Sequence, residues 1–162
     1  MAFVHARKSA AFTLIELMVT IAVLGIVVAI AMPSFQRFIA DQRVKAAADE
    51  LVMSFMYARS EAVKRRTTVS VTSLSGGWSA GWQVASGSDV LRTHEFNGLS
   101  VSGVEASTVS FGAQGRATLG SSDALNFRIC DQDEKATQRD VRLSFSGQAR
   151  VTIGGACSDA GS

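Results

Sequence analysis

Ala11, Phe12 and Glu16 are the residues whose types and spacing point most directly to chemistry in this 162-residue chain. Glu16 stands near the start of an otherwise apolar stretch that reaches Met32 and stops at Pro33, the single proline. At about 1.5 Å per residue, a helix of roughly twenty such residues crosses a bilayer. A carboxylate in lipid costs about 2.5–3.5 kcal/mol on insertion scales, so Glu16 requires a partner. Cleavage of the peptide bond between Ala11 and Phe12 would create one. The new α-amino group of Phe12 lies one helical turn from Glu16, at the positive end of the helix dipole. In a bundle of such helices, the amine of one chain can equally meet the carboxylate of the next.

The segment Ala11-Phe12-Thr13-Leu14-Ile15-Glu16-Leu17 resembles the cleavage and methylation motif of type IV pilins and type II secretion pseudopilins. It follows a short basic leader with Arg7 and Lys8 and opens an apolar helix that ends at a proline. The resemblance implies cutting by prepilin peptidase between Ala11 and Phe12, N-methylation of Phe12, and assembly contacts through Glu16, with Pro33 where the helix leaves the membrane. Glycine usually precedes the cut in these families. Ala11 is small enough for a pocket that selects against side chains, so cleavage is expected. The competing reading is an uncleaved membrane-anchored adaptor with an incidental glutamate, which predicts an intact N-terminus.

The elements that position these residues follow from charge and periodicity. Arg7 and Lys8 beside the apolar run favour a cytoplasmic N-terminus and an exported remainder. Because the cut precedes the apolar run, the processed chain stays anchored. Removing Arg7 and Lys8 from the 16 basic residues leaves as many as the 14 acidic ones, so the pI is no nucleic-acid signature. Cys130 and Cys157 lie in the exported part, where an oxidising compartment permits a disulfide; two separate buried thiols are the alternative, and two cysteines make a poor metal site.

Past Pro33, apolar residues at Phe35, Phe38, Ile39, Val44, Ala48, Leu51, Phe55, Ala58 and Ala62 keep a helical spacing. Asp41, Arg43, Lys45, Asp49, Glu50, Arg59 and Glu61 are expected on other faces. One helix is therefore predicted from Phe12 to about Lys64, with a kink or local melt near Pro33. From residue 67 the period changes to two. Strands are predicted at 67–74, 78–85, 90–96, 99–104, 108–111, 116–119, 124–130, 140–146 and 149–153, with glycine and serine between them. The fold class is α+β, a long N-terminal helix packed on one or two antiparallel sheets. Its parts are a leader at 1–11, a transmembrane helix at 12–32, an amphipathic continuation at 33–66 and a β-rich exported domain at 67–162.

The run from Leu51 through Tyr57-Ala58-Arg59-Ser60-Glu61-Ala62, with Gly76-Gly77-Trp78 and Gly81-Trp82 after the next strand, resembles the H-type minor pseudopilins and FimT/FimU-type minor pilins. That resemblance implies a pilin-like fold and a low-abundance subunit at or near a fibre tip that helps start or cap assembly of a type IV pilus or type II secretion pseudopilus. Its implied partners are prepilin peptidase, other minor and major pilins or pseudopilins, and the bacterial inner membrane, with the C-terminal domain periplasmic. Enzyme chemistry has little support. His94 is the one histidine left after cleavage, and there is no phosphate-binding glycine loop, no metal-ligand spacing and no cofactor motif. Asp131, Asp133 and Glu134 are read as an exposed acidic loop.

DNA is the rival partner. Some FimT-type proteins bind it through a C-terminal Gly-Arg-x-Arg motif, and this chain has Gly147-Gln148-Ala149-Arg150, without the first arginine. A three-residue connection at 146–148 would pair Phe145 with Ala149. That register puts Val141, Leu143, Phe145, Val151 and Ile153 in the core and makes Arg142 and Arg150 diagonal neighbours outside. Arg116 and Arg139 would extend a weak basic patch. Two to four arginines on a neutral domain imply weak, salt-sensitive binding.

Overall fold

The computed structural model describes residues 13–120 and 122–158. Helix α1 spans Leu14–Arg65 and is followed by nine strands among the described residues. The chain divides after Gln36 into two units. Pro33 lies inside α1 and the helix is unbroken there, so the local melt expected at that position does not occur.

Both ends of α1 follow from local chemistry. At the start, the Glu16 N–H donates to the Thr13 hydroxyl at 3.2 Å. The spacing Thr13-x-x-Glu16 is that of a capping box. At the end, Arg66 has φ of 53°, the Arg66 N–H donates to the Val63 carbonyl at 3.4 Å, and the Thr67 N–H donates to the Ala62 carbonyl at 3.2 Å. This is a Schellman termination with arginine in the left-handed position. Lys64 and Arg65 occupy the last turn, where the dipole favours cations.

From Arg37 onward, α1 buries Val44, Ala47, Ala48, Leu51, Ser54, Phe55, Ala58, Glu61 and Ala62. Phe38, placed on this stripe from its spacing, is exposed, and in the N-terminal unit so is Phe35. Glu61, assigned to an outer face, is buried instead. It shares the row of Leu51, Ser54 and Ala58 at steps of three and four.

Arg65 Nε lies 2.6 Å from Glu61 Oε2, and Lys64 Nζ lies 3.5 Å from Oε1. The hydrogen bond from Arg65, with the two positive charges, holds the Glu61 carboxyl below its ordinary 4.5 although burial acts the other way. A carboxylate whose folded-state pKa is lowered stabilises the fold above the unfolded value and loses that contribution as pH falls through the folded one. Wild type is therefore expected to have a higher urea midpoint than Glu61→Gln at pH 7, with the two converging as pH falls through the lowered folded-state value. An unchanged gap at pH 3 would assign the effect to packing.

The strands form two antiparallel sheets. The first has the order β3-β2-β1-β5-β6, from β1 (Val69–Leu74), β2 (Gly77–Ser86), β3 (Asp89–Glu95), β5 (Thr108–Phe111) and β6 (Ala117–Thr118). The second has the order β4-β7-β8-β9, from β4 (Leu99–Ser102), β7 (Ala124–Asp131), β8 (Thr137–Ser144) and β9 (Ala149–Ala156). Sequential hairpins explain most neighbours. The exceptions are β1, which also pairs with β5, Val71 opposite Val109, and β4, which pairs with β7, Val101 opposite Ile129.

One core joins the helix to both sheets. Phe55 lies 6.1 Å from Phe111 of the first sheet and 5.4 Å from Phe127 of the second, ring to ring. Trp78 meets Phe127 edge-on at 5.0 Å. The buried Trp82 Nε1–H donates to Ser54 Oγ at 2.8 Å, which satisfies a polar group inside the core. Gly81 has φ of +124°, and a Cβ there would meet the His94 carbonyl of β3. Only glycine permits that approach of β2 to β3.

Two further expectations are corrected. Phe145 and Ile153 are 52% and 71% exposed instead of buried. Their connection is a three-residue turn at 145–147, one residue earlier than expected, and Ile153 stands on the edge strand. The Ser144 N–H donates to the Gln148 carbonyl, Leu143 pairs with Ala149, and Phe145 falls in the turn. Asp131 is buried instead of lying in an exposed loop: Oδ1 accepts from the Ala136 N–H at 2.7 Å and Oδ2 from the Lys135 N–H at 3.1 Å. Cys130 and Cys157 are joined as a disulfide, with Cα atoms 5.6 Å apart, so the chain end is tied to β7.

Candidate functional site

The singled-out residues fall in two places. The first is the start of α1. Ala11 and Phe12, the cleavage and methylation positions, lie outside the described residues. Glu16 is the acid of the first turn, where the helix dipole favours negative charge. From Leu14 to Met32 every side chain is exposed, including Leu14 at 77% and Ile30 at 71%. This helix is long and apolar enough to cross a membrane. A contiguous apolar surface of that length marks a lipid or protein contact.

The second place is the outward face of β7, β8 and β9. Strand alternation turns Phe127, Ile129, Val141 and Leu143 into the core and Asn126, Arg128, Asp140, Arg142 and Arg150 outward. Arg142 is directly opposite Arg150, instead of diagonal to it, and Asn126 completes the row. Arg142, Ser144, Gln148 and Arg150 line a depression of about 220 Å³. Like charges directly opposite repel. The nearby Asp140 is engaged elsewhere: Gln138 Nε2 donates to its two oxygens at 2.8 and 2.9 Å, and Arg128 Nε lies 4.0 Å away.

The other two arginines do not join that row. Arg116 lies over the Phe145 ring at 5.5 Å, at the turn end of the β8–β9 hairpin. Arg139 shares the inward parity of Val141 and Leu143, and its buried Nε has no hydrogen-bond partner among the described residues. Grouping all four as one patch is therefore corrected, because a one-residue step along a strand reverses the face.

His94 Nε2 lies 3.2 Å from Glu50 Oε1, and its ring centroid is 6.1 Å from that of Trp82. This contact joins β3 to α1. Sequence reading missed it because Glu50 and His94 share no local period. Among the described residues, no group of three His, Cys, Asp or Glu side chains is placed to hold a metal.

The Tyr57–Ala62 run has a structural explanation residue by residue. Tyr57 carries the Arg92 guanidinium 4.1 Å over its ring, and Ala58 and Ala62 are fully buried. The Arg59 side chain packs against Gly115 and Gly147. Gly147 has φ of +77°, and a Cβ there would strike the Gly115 carbonyl. The two turns thus close on one helical arginine.

Comparison with known proteins places this architecture. Residues 47–147 match the family "Type II transport protein GspH", and residues 6–32 match the "Prokaryotic N-terminal methylation motif". The type IV major fimbrial protein FimA of Dichelobacter nodosus is 32% identical, over 83% of this chain and 89% of its own. Among solved structures, the type IV minor pilin FimU of Pseudomonas aeruginosa is similar with a TM-score of 0.55 and 27% identity, over 70% of this chain and 98% of that one. The minor pseudopilin EpsH of the Vibrio cholerae type 2 secretion system shares the fold at a TM-score of 0.50 and 12% identity, over 68% and 97% of the two chains. A methylation motif on an apolar helix, continued into a helix-on-two-sheets domain that matches over most of its length, makes this chain a member of the H-type minor pilin and pseudopilin family.

Proposed function

We propose that the chain is cut by prepilin peptidase between Ala11 and Phe12, methylated at Phe12, and takes part in initiating or capping a type IV pilus or type II secretion pseudopilus. The observation that carries this reading is the exposed apolar run of α1 headed by Glu16. The freed amine meets Glu16 of its own or a neighbouring chain, the apolar run packs among sister helices, and Pro33 marks the exit from the membrane. The N-terminus faces the cytoplasm and the domain the periplasm. Mass spectrometry of the membrane-extracted protein is expected to find a chain beginning at methylated Phe12. A chain beginning at Met1 would favour the uncleaved adaptor and overturn the proposal.

The Arg142–Arg150 row supports a second reading, weak DNA contact during uptake. Phosphate contacts dominate such binding and make it fall steeply with salt.

A further inference from the structure

We propose that the open edge of β9 takes up an extended, acid-bearing segment of a neighbouring subunit as an additional strand of the second sheet. This rests on the reading that the domain works by subunit association, and it names the surface and the chemistry of the partner.

Strand β9 is eight residues long and, among the described residues, pairs with β8 alone. The register shift of this hairpin lies between Thr137 and Arg139, so the pairing from Ala149 to Ile153 is regular. Ser144 and Gln148 form a hydrogen-bonded position of the ladder. By alternation, Arg150 and Thr152 turn their backbone groups to β8, while Val151 and Ile153 turn theirs away from the sheet. Natural edges are usually blunted by lysine, proline or bulges. This one has no proline, a single charge at Arg150, and Ile153 with 71% of its surface exposed.

The partner's chemistry follows from the same register. Arg150 would form a non-hydrogen-bonded pair with the incoming strand, the closer of the two pair types. Arg142 and Arg150 face each other outward, and none of the ion pairs among the described residues includes either of them. A carboxylate opposite Arg150 would relieve that repulsion. On the other face, Ile153 is matched by an aliphatic side chain. Main-chain bonds supply affinity in such pairing and alternate side chains supply specificity. Nucleic acid would use the arginines and leave both Ile153 and the edge amides idle, which favours the peptide.

The test uses the full-length chain in detergent micelles and a labelled ten-residue peptide of alternating valine and threonine with one central aspartate. Fluorescence anisotropy is expected to show binding that weakens about tenfold or more when lysine replaces the aspartate, a difference of about 1.4 kcal/mol. Binding should vanish when alternate peptide amides are N-methylated. Ile153→Pro removes an edge N–H that no ladder bond uses and is expected to abolish binding. Ile153→Lys keeps that N–H, provides a check should the proline variant unfold, and should weaken binding.

Absence of binding, or equal binding of the N-methylated peptide, overturns the proposal. So does capture of a single-stranded oligonucleotide, unaffected by Ile153→Pro, in place of the peptide. Normal fibre incorporation without peptide binding sinks the edge proposal alone. An uncut chain that still binds the peptide sinks the assembly reading alone.

Discussion

A Glu16→Ala chain is expected to remain in the membrane and to disappear from purified fibres. Removing the carboxylate makes insertion easier by about 2.5–3.5 kcal/mol, so anchoring survives. The helix start survives as well, because the group that meets the Thr13 hydroxyl is the Glu16 backbone N–H, which alanine retains. The proposed loss is the acceptor for the Phe12 ammonium. Removing one partner of a buried ion pair costs about 3–5 kcal/mol, which corresponds to at least a hundredfold change in association. Quantitative immunoblots of membrane and sheared-fibre fractions measure this directly. Equal incorporation of wild type and variant would refute the role given to the carboxylate.

The largest expected stability effect lies at Phe55. Its fully buried ring contacts Phe111 in one sheet and Phe127 in the other, so it is the point where helix and both sheets share a core. Phe55→Ala removes the ring and leaves a cavity that two sheets and a helix cannot collapse to fill. The cost for such a change is about 3–5 kcal/mol. Against a typical total of about 5–15 kcal/mol, this places the domain near its unfolding threshold. The neighbouring Met56, 61% exposed, provides the contrast: Met56→Ala should lie within about 0.5 kcal/mol of wild type. Urea unfolding followed by tryptophan fluorescence reports both. A loss below about 1 kcal/mol at Phe55 would contradict the shared-core assignment.

Features written in short stretches of chain were legible before any fold was known. The apolar run behind Glu16, the helix period through Leu51, Phe55 and Ala58, and the alternating strand at Thr108–Phe111 each depend on neighbours within a few residues. Hydrophobic period and turn residues carry that information. The cysteine pairing was legible only as one of two options, because distance between sulfurs is a property of the folded chain.

What remained hidden depends on which distant segments meet. Glu61 reads as a surface residue until packing puts its row against the domain, where Arg65 accompanies it. Arg139 reads as a companion of Arg142 until the ladder puts them on opposite faces. Phe145 reads as core until the turn, set one residue earlier, shifts the pairing by two residues and leaves it outside. The residues alone therefore established the apolar run, the methylation motif, the helix and the run of strands, because each arises from local spacing. Which arginines stand together, which strand edge is open and which acid is buried were decided by long-range pairing, since a sheet's register is settled by the partner strand and the turn that joins them.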